Sequence, residues 1–372
     1  MKVLILTVST GEGHNSTATA IHSELKNRGA ECCTLDVCYY VNRFLGHGIS
    51  YGYLLSIDSL SGGYSTVYKL LERRKASKGN FSPTKIAFGI FANRLLRFIT
   101  NYDPDVIICT HIFAGISIEI LKEKQLIDAK TYGIVTDYTV HPYWEELKCF
   151  DHIVLPSARL EWQCLRKGLK SEQILPLGIP IRDGFEKKTD KKTAKKILGM
   201  MPNKPLVMVM GGSMGYGNLS KIVSQIDKVR NCFQIIVVCG TNEEAYKKLI
   251  NRKFMHNTKI LGYTKDIPLI MDAADCIVTK PGGITVSEAL AKELPLLLTT
   301  PIPGHEERNR DFLVNCGAAM SVSAKTSLDE LVWHFFSDKE CQHIMKSAAA
   351  SMGKLNASQD LADHITISVE KE

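Results

Sequence analysis

The sequence lacks a long hydrophobic run, because no uninterrupted apolar stretch, such as residues 3–6, approaches the roughly 20 residues of a membrane-spanning helix. Its eleven cysteines form no Cys-x-x-Cys pair, which argues against a thiolate metal site and a disulfide framework. Residues 1–8 lack the small-residue cleavage site of a secretory signal, which predicts a cytoplasmic protein. Hydrophobic residues at 45% and charged residues at 23% are ordinary for a folded protein and exclude disorder.

The net charge of +7 is concentrated in one part of the chain. Residues 69–97 contain eight of the 46 basic residues and one of the 39 acidic residues, so the other 38 of each sign cancel. A basic surface of this kind attracts acidic partners, and charge alone leaves nucleic acid and an anionic membrane equally open.

Apolar runs alternate with stretches of helical period along the whole chain, which predicts an α/β fold with parallel sheets. Strands are predicted at 3–8, 32–37, 106–110, 131–135 and 152–155, and a second series at 206–210, 234–239, 259–261, 276–279, 296–299 and 320–322. The segment Leu-Gly-Ile-Pro-Ile-Arg at 177–182, followed by a lysine-rich run, is the best boundary. We therefore expect two Rossmann-like domains facing across a cleft, at 1–182 and 183–372, with the last helix packing back on the first domain.

A glycine loop, Thr-Gly-Glu-Gly-His-Asn-Ser at 10–16, follows the first strand and precedes a helix. Backbone N–H groups at such a helix start can bind an anionic ligand. Asp36, at the end of the second strand, gives a partial match to a dinucleotide fingerprint, but Ser16 replaces its third glycine. His14 would lie at the carboxyl edge of the sheet, where a neutral imidazole is suited to act as a general base.

Three further loops follow strands of the second half. Lys-Pro-Gly-Gly-Ile-Thr at 280–285 presents N–H groups at a helix start, which suits a diphosphate. Glu288 comes five residues after the second of these glycines, where a carboxylate can accept hydrogen bonds from ribose hydroxyls. With the polar cluster at 303–309 and the glycine-rich loop at 211–215, these loops predict a nucleotide-sugar pocket.

Five motifs in this order resemble glycosyltransferase family 28, in the branch of monogalactosyldiacylglycerol synthases and processive diacylglycerol glucosyltransferases. They are residues 10–14, residues 135–138 with 141, 142 and 144, residues 177–180, residues 280–285 with 288, and residues 303–309. The resemblance implies a GT-B fold with an N-terminal acceptor domain and a C-terminal UDP-sugar domain. It also implies transfer with inversion and without a metal or another cofactor. The spelling Asp-Pro-Asp at 103–105 precedes a strand, so we interpret it as a turn and not as a metal motif.

The resemblance also implies roles for single residues. His14 is expected to be the base, and Asp137 is expected near the reaction centre, either orienting His14 or binding the acceptor. The expected donor-binding residues are Gly212, Ser213, Gly262, Tyr263, Gly282, Gly283, Thr285, Glu288, Glu306 and Asn309. The expected residues of the acceptor side and its loop are Gly11, Gly13, His141 and Trp144. Relatives often carry glutamine at the position of His305, which leaves glucose and galactose open as the donor sugar.

Residues 85–98 are apolar with basic residues at their edges, as in a helix that lies in a membrane interface. The alternative is a core helix with a basic outer face. Because the resembling enzymes act on membrane lipid, we expect membrane docking by Lys69, Arg73, Arg74, Lys75, Lys85, Phe88, Phe91 and Arg94.

The resulting hypothesis is a peripheral enzyme on the inner face of the cell membrane. Its expected partners are a UDP-hexose, diacylglycerol or glycosyl-diacylglycerol, and an anionic membrane surface, with no nucleic acid. Three alternatives stay open at this point. They are an N-acetylglucosamine transferase acting on a lipid-linked peptidoglycan precursor, a nucleotide-sugar epimerase and a noncatalytic UDP-sugar sensor.

Overall fold

A computed structural model describes residues 1–9, 12–41, 83–140, 142–212, 215 and 217–370 of the chain, without the side chains of residues 12, 83–88, 90 and 142. Its strands are β1 Lys2–Thr7, β2 Glu31–Asp36, β3 Val106–Cys109, β4 Lys130–Ile134, β5 His152–Val154, β6 Ile174–Leu175, β7 Leu206–Met210, β8 Gln234–Val238, β9 Asn257–Leu261, β10 Cys276–Thr279, β11 Leu296–Leu298 and β12 Ala319–Ser321.

The helices are α1 Glu12–Asn27, α2 Val37–Val41, α3 Pro83–Tyr102, α4 Ile112–Glu123, α5 Glu161–Arg166, α6 Lys191–Ile197, α7 Leu219–Ile226, α8 Glu243–Ile250, α9 Ile267–Ala273, α10 Gly283–Ala291, α11 His305–Asn315, α12 Leu328–Ser337, α13 Lys339–Met352 and α14 Ala357–Glu370. Short 3-10 helices cover Pro142–Glu146, Ala158–Leu160 and Ser171–Gln173. None of the helices in the described ranges combines the length and apolarity that a bilayer span requires.

Two compact units divide the chain. One comprises Met1–Arg182, Pro303–His305 and Asn356–Glu372, and the other comprises Asp183–Ile302 and Glu306–Leu355. Each contains one six-stranded sheet, with the orders β2-β1-β3-β4-β5-β6 and β12-β11-β10-β7-β8-β9. All strand pairs are parallel, so the predicted α/β fold with two parallel sheets is confirmed.

The central strands of both sheets, such as β3, β7, β8 and β10, are rich in Val, Ile and Leu and are buried along their length, as expected for parallel strands covered on both faces. In the first unit, α14 packs on the face that also carries α1. Leu361, Ala362 and Ile365 of α14 join one core cluster with residues of β1, β3 and α1, which include Val3 and Leu25. This unit is therefore completed by the last helix of the chain.

Each sheet has a point at which the strand order reverses. The chain leaves β1 for β2 and returns to β3 on the other side of β1, and it leaves β7 for β8 and β9 before returning to β10. Crevices for ligands form outside the carboxyl ends of strands at such switch points. The motif Asp-Pro-Asp at 103–105 lies at the opposite, amino end of β3, where the Asp105 carboxylate accepts a hydrogen bond from the Lys2 backbone N–H at 2.6 Å.

Candidate functional site

His14 lies in the first turn of α1, beside the switch point of the first sheet. Its Nδ1 lies 2.8 Å from the carbonyl oxygen of Thr110, which follows β3, and 3.2 Å from the hydroxyl of Thr136, which follows β4. A carbonyl oxygen only accepts hydrogen bonds, so Nδ1 carries the ring proton and donates a hydrogen bond to the Thr110 carbonyl oxygen. The other ring nitrogen, Nε2, is then left with a lone pair that can accept a proton.

A second histidine supports this ring. His111 packs perpendicular to His14, with the ring centroids 4.5 Å apart and an interplanar angle of 73°. His111 Nδ1 accepts the Phe113 backbone N–H at 3.1 Å and so caps α4, which fixes its own ring. The imidazole of His14 is therefore held by a backbone carbonyl, a hydroxyl and a fixed aromatic ring.

Burial lowers the pKa of His14 below its ordinary value of 6.5. The Asp137 carboxylate and the hydrogen bond to Thr110 act in the opposite direction and raise this pKa, but burial is the largest influence. His14 is therefore neutral near pH 7, which is the form that a general base requires.

Side chains of the first unit hold Ser9, after β1, and Asn15, in the first turns of α1. Asn15 accepts a hydrogen bond from the Thr7 hydroxyl and donates one to Ser9 Oγ, each at 3.0 Å. The two carboxylate oxygens of Asp36 accept the backbone N–H groups of Ser9 at 2.8 Å and Tyr39 at 3.0 Å. Both oxygens of Asp36 thus have a structural role, which disfavours the partial dinucleotide fingerprint.

In the second unit, an ion pair joins the loop that follows β10 to the first turn of α11. Lys280 Nζ donates to Glu306 Oε1 at 2.8 Å, and the Glu306 side chain is only 2% exposed. Glu306 Oε2 accepts the Ile302 backbone N–H at 2.9 Å. Both carboxylate oxygens are therefore hydrogen-bonded within the protein, so Glu306 fixes the position of the Lys280 ammonium group.

The loop at 280–285 is fixed from the same side. The fully buried amide of Asn309 donates through Nδ2 to the Pro281 carbonyl oxygen at 3.0 Å. Gly282 caps α10, and Glu288 on that helix is 1% exposed. The N-terminal turn of α10 therefore has a defined position, with the Thr285 side chain half-buried in it.

A cavity of about 40 Å³ lies at the switch point of the second sheet. It is lined by residues at the ends of β7, β10 and β11, which include Met210, Thr279, Lys280 and Thr299. The Thr279 hydroxyl is buried without a hydrogen-bond partner in the described part of the protein. A buried hydroxyl without a partner is costly, which indicates that a polar ligand or water belongs there.

Other predicted donor residues lie at the same carboxyl edge. Gly212 follows β7 with a φ of +77°, and a Cβ there would come 3.6 Å from Lys280 Cε. Gly262 and Tyr263 follow β9, and Tyr263 is 64% exposed. Ser213 lies outside the described residues. The structure thus brings Gly212, Gly282, Gly283, Thr285, Glu306 and Asn309 together around β7, β10 and β11.

On the acceptor side, Gly13 lies in the first turn of α1, next to His14. Trp144 is only 5% exposed, and a Cβ on Gly133 of β4 would come within 2.6 Å of its ring. The Trp144 ring thus fills the space left by a strand glycine, so it packs the core of this unit. Gly11 and His141 lie outside the described residues.

The predicted docking helix α3 has an inner face that packs into the first unit. Ala92, Leu95 and Ile99 are buried, Phe91 is half-buried, and Arg94 is exposed and donates a hydrogen bond to the Val41 carbonyl oxygen. Lys69, Arg73, Arg74 and Lys75 and the side chains of Lys85 and Phe88 lie outside the described residues. Membrane docking by this segment stays a prediction.

Sequence reasoning missed the residues that position the others. Thr110, His111, Thr136 and Lys280 were not expected to have roles, although Thr136 and Lys280 lie within recognised motifs. Over the parts of the chain that the structure describes, potential metal ligands come together at Glu119, Glu123 and Cys149. Glu119 there accepts the backbone N–H groups of Lys148 and Cys149, which gives it a structural role.

Comparison with known proteins gives matches over both units. Residues 14–181 match the family model for monogalactosyldiacylglycerol synthase, and residues 206–365 match that for the glycosyltransferase family 28 C-terminal domain. The chain is 29% identical over 371 residues to the processive diacylglycerol beta-glucosyltransferase of Bacillus pumilus, and this alignment covers 98% of this chain and 94% of that protein. It is 30% identical over 328 residues to the Bacillus cereus protein of the same name, covering 86% and 82%.

Solved structures with the same fold are more distant in sequence. Acinetobacter baumannii MurG superimposes with a TM-score of 0.65 at 15% identity, covering 98% of this chain and 99% of that chain. The UDP-GlcNAc 2-epimerase of Neisseria meningitidis has a TM-score of 0.59 at 13% identity, covering 98% and 100%. These similarities establish the GT-B fold.

Proposed function

This chain belongs to glycosyltransferase family 28, and from that premise we propose that it transfers a hexose from UDP-glucose or UDP-galactose to diacylglycerol, forming a glycolipid. The arrangement of His14 is the observation that carries the proposal, because a neutral imidazole with Nδ1 bonded to Thr110 offers Nε2 to an incoming hydroxyl. Curated relatives over nearly the whole chain are named processive diacylglycerol beta-glucosyltransferases, which supports diacylglycerol as the acceptor.

The proposed reaction is a single displacement with inversion at the anomeric carbon. His14 Nε2 takes the proton of the acceptor hydroxyl as the oxygen forms its bond to the anomeric carbon. The bond from that carbon to the diphosphate oxygen breaks on the opposite side, and UDP leaves with the electron pair. Asp137 stabilises the imidazolium that forms, since its carboxylate already raises the pKa of His14.

The leaving diphosphate carries negative charge that the second unit can neutralise. The N-terminal turn of α10, with Gly282, Gly283 and Thr285, offers backbone N–H groups and the positive end of the helix dipole. Lys280 adds a fixed positive charge at the same loop, held by Glu306. We therefore assign this stabilisation to protein groups, with no metal or cofactor.

Recognition of the rest of the donor is assigned by the family pattern. Glu288 holds the ribose hydroxyls, and the backbone at Gly262 and Tyr263 meets uracil. Asn309 contacts the sugar, together with Glu306 through any lone pair that remains after its two protein hydrogen bonds. The family pattern often has glutamine at the position of His305, so the proposal leaves both glucose and galactose open as the donor sugar.

The acceptor lipid and its product reside in a membrane, so the enzyme is proposed to attach to the inner face of the cell membrane through the basic segment at 69–97. A second transfer to glycosyl-diacylglycerol, the enzyme's own product, is part of the proposal. It needs the same base and the same donor site.

The test incubates purified protein with each UDP-sugar and diacylglycerol liposomes, and follows UDP release and lipid products. His14→Ala is expected to lower turnover at least about a hundredfold, as loss of a general base does. His22→Ala, on the same helix, removes a ring that bonds to the Thr34 hydroxyl at 3.0 Å; it is the matched control and should retain activity. Full activity in His14→Ala would refute the assignment of the base.

Transfer to a lipid-linked peptidoglycan precursor, with none to diacylglycerol, would replace the proposed acceptor. Binding of UDP-sugar with no transfer to any acceptor would instead favour a sensor.

A further inference from the structure

Helix α5 exposes a large aromatic side chain while its inner face is fully buried. Trp162 is 68% exposed and Leu165 is 39% exposed, whereas Leu160 and Cys164 are completely buried. The Ser157 side chain accepts the Arg159 backbone N–H at 3.3 Å and caps the 3-10 turn that leads into this helix. The packing and the cap hold the segment in place, so Trp162 projects from a fixed backbone.

Basic side chains lie along the same stripe. Positions 159, 162, 165 and 166 are spaced by three or four residues and so lie on one side of the helical turn. Arg159 and Arg166 are exposed on either side of Trp162. Residues 158–170 contain four basic residues and one acid. We call Arg159, Trp162, Leu165 and Arg166 the Trp162 stripe.

The Trp162 stripe lies on the same face of the first sheet as α3. Strands β3 to β6 follow one another across the sheet, so their right-handed crossovers lie on one face, and this places α4 and α5 there. Helix α3 packs against α4. The 3-10 turn Pro142–Glu146 also packs on α4, and Glu145 of this turn pairs at 3.0 Å with Lys167, which follows α5. Arg94 and Arg97 of α3 are exposed on this layer.

We propose that the Trp162 stripe is a membrane anchor that inserts Trp162 and Leu165 into the headgroup region of an anionic bilayer. Indole rings prefer this region because one edge is polar and the body is apolar. The two guanidinium groups pair with lipid phosphates, so the stripe complements a negatively charged surface in both charge and polarity. The inference rests on the proposed function insofar as a lipid acceptor requires the enzyme to reach a membrane.

The chain allows a direct spectroscopic test because it has three tryptophans, Trp144, Trp162 and Trp333. Trp144 is buried, and Trp333 is 50% exposed in the second unit. In a Trp333→Phe variant of the full chain, Trp162 is therefore the exposed tryptophan that reports on lipid. Phosphatidylcholine vesicles with about 30 mol% phosphatidylserine have a negative surface potential. Binding to these vesicles should shift the emission of Trp162 to shorter wavelength. Brominated lipids should quench it. Emission that is unchanged when the vesicles are bound would overturn the proposal.

Vesicle cosedimentation measures the contribution to binding. Trp162→Ser should bind the anionic vesicles more weakly than the parent chain. The double variant Arg159→Gln/Arg166→Gln should also bind them more weakly, by about fivefold for each of the two arginines removed. Trp333→Ser is the matched control and should bind like the parent chain. Thermal unfolding of each variant checks that α5 has not been disrupted. Equal binding by parent and Trp162→Ser would refute the anchor, and so would a loss of self-association in that variant without a loss of vesicle binding.

A transfer assay separates this inference from the proposed function. With a short-chain diacylglycerol dispersed in detergent, Trp162→Ser should transfer hexose at the parental rate. If the parent chain transfers no hexose but binds vesicles through Trp162, the proposed function fails and the anchor stands. If the parent transfers hexose and Trp162→Ser binds vesicles as the parent does, the anchor fails alone.

Discussion

Acid should destabilise the first unit through His152, which lies at the start of β5 beneath α14. Its ring lies 5.0 Å from that of Tyr132 and 4.7 Å from that of His364 on α14, and its Nδ1 is buried without a hydrogen-bond partner among the described residues. The pKa of His152 is lowered to about 4, chiefly by burial and next by the neighbouring His364, with a smaller contribution from Lys130, while Asp151 and a backbone hydrogen bond at Glu172 act to raise it. A proton on this ring is therefore strongly disfavoured in the folded state.

The sign of the effect follows from the two pKa values. In the unfolded chain His152 binds a proton near its ordinary value of 6.5, and in the folded chain only near 4. The unfolded state thus gains protons first as the pH falls, so the free energy of unfolding decreases below pH 6.5 and levels off below 4. Linkage gives a total loss of about 3 kcal/mol for this one group, of which about 2 kcal/mol is gone at pH 5.

Urea unfolding at several pH values between 7.5 and 4.5, followed by hydrogen exchange of the β4 and β5 amides, measures this loss. His152→Phe keeps an aromatic ring and cannot bind a proton, so its unfolding free energy should decrease by about 2 kcal/mol less than that of the parent between pH 7.5 and 5. His343→Phe, at an exposed position on α13, is the control and should follow the parent. Parallel pH curves for parent and His152→Phe would refute the reasoning.

Three further predictions concern the site. The acid limb of kcat/KM should lie below pH 6.5, because burial lowers the pKa of His14 and activity requires its neutral form; a pH profile with the limb above 7 would contradict this. The double variant Lys280→Met/Glu306→Gln, which leaves no unpaired buried charge, should raise the Kd for UDP about tenfold and leave that for uridine unchanged, as measured by calorimetry. Gly215→Ala should destabilise the second unit by more than about 2 kcal/mol, because its Cβ would lie 2.0 Å from the carbonyl oxygen that follows β8. Gly217→Ala, which is also at a positive φ but has open space around it, should lose only about 1 kcal/mol in the same denaturation assay.

The two sheets could be predicted because parallel strands are apolar and β-branched along their length, as in β7 and β8. All eleven predicted strands occur, with ends that differ by at most two residues. Strand β6 was missed because Ile174–Leu175 is too short to give a periodic signal. Local patterns also located the glycine turns at which helices α1 and α10 begin.

The contacts within the site could not be predicted, because they join residues far apart in the chain. Thr110 and Thr136 are 96 and 122 residues from His14, and no local pattern pairs them with it. Trp144 lies within a recognised motif, but a motif does not tell whether a tryptophan faces a ligand or the core. A glycine inside β4, Gly133, was the available signal, because strand glycines often make room for a large neighbour.

The placement of α14 has a consequence for synthesis on the ribosome. Residues of α14 complete the core over β1 and α1, yet they are translated after every residue of the second unit. The apolar surface that contacts Leu361 and Ile365 therefore stays uncovered until the residues of α14 have been synthesised. The unit that is synthesised first is therefore finished last, and a chain that stalls before residue 357 would expose this surface to chaperones and proteases.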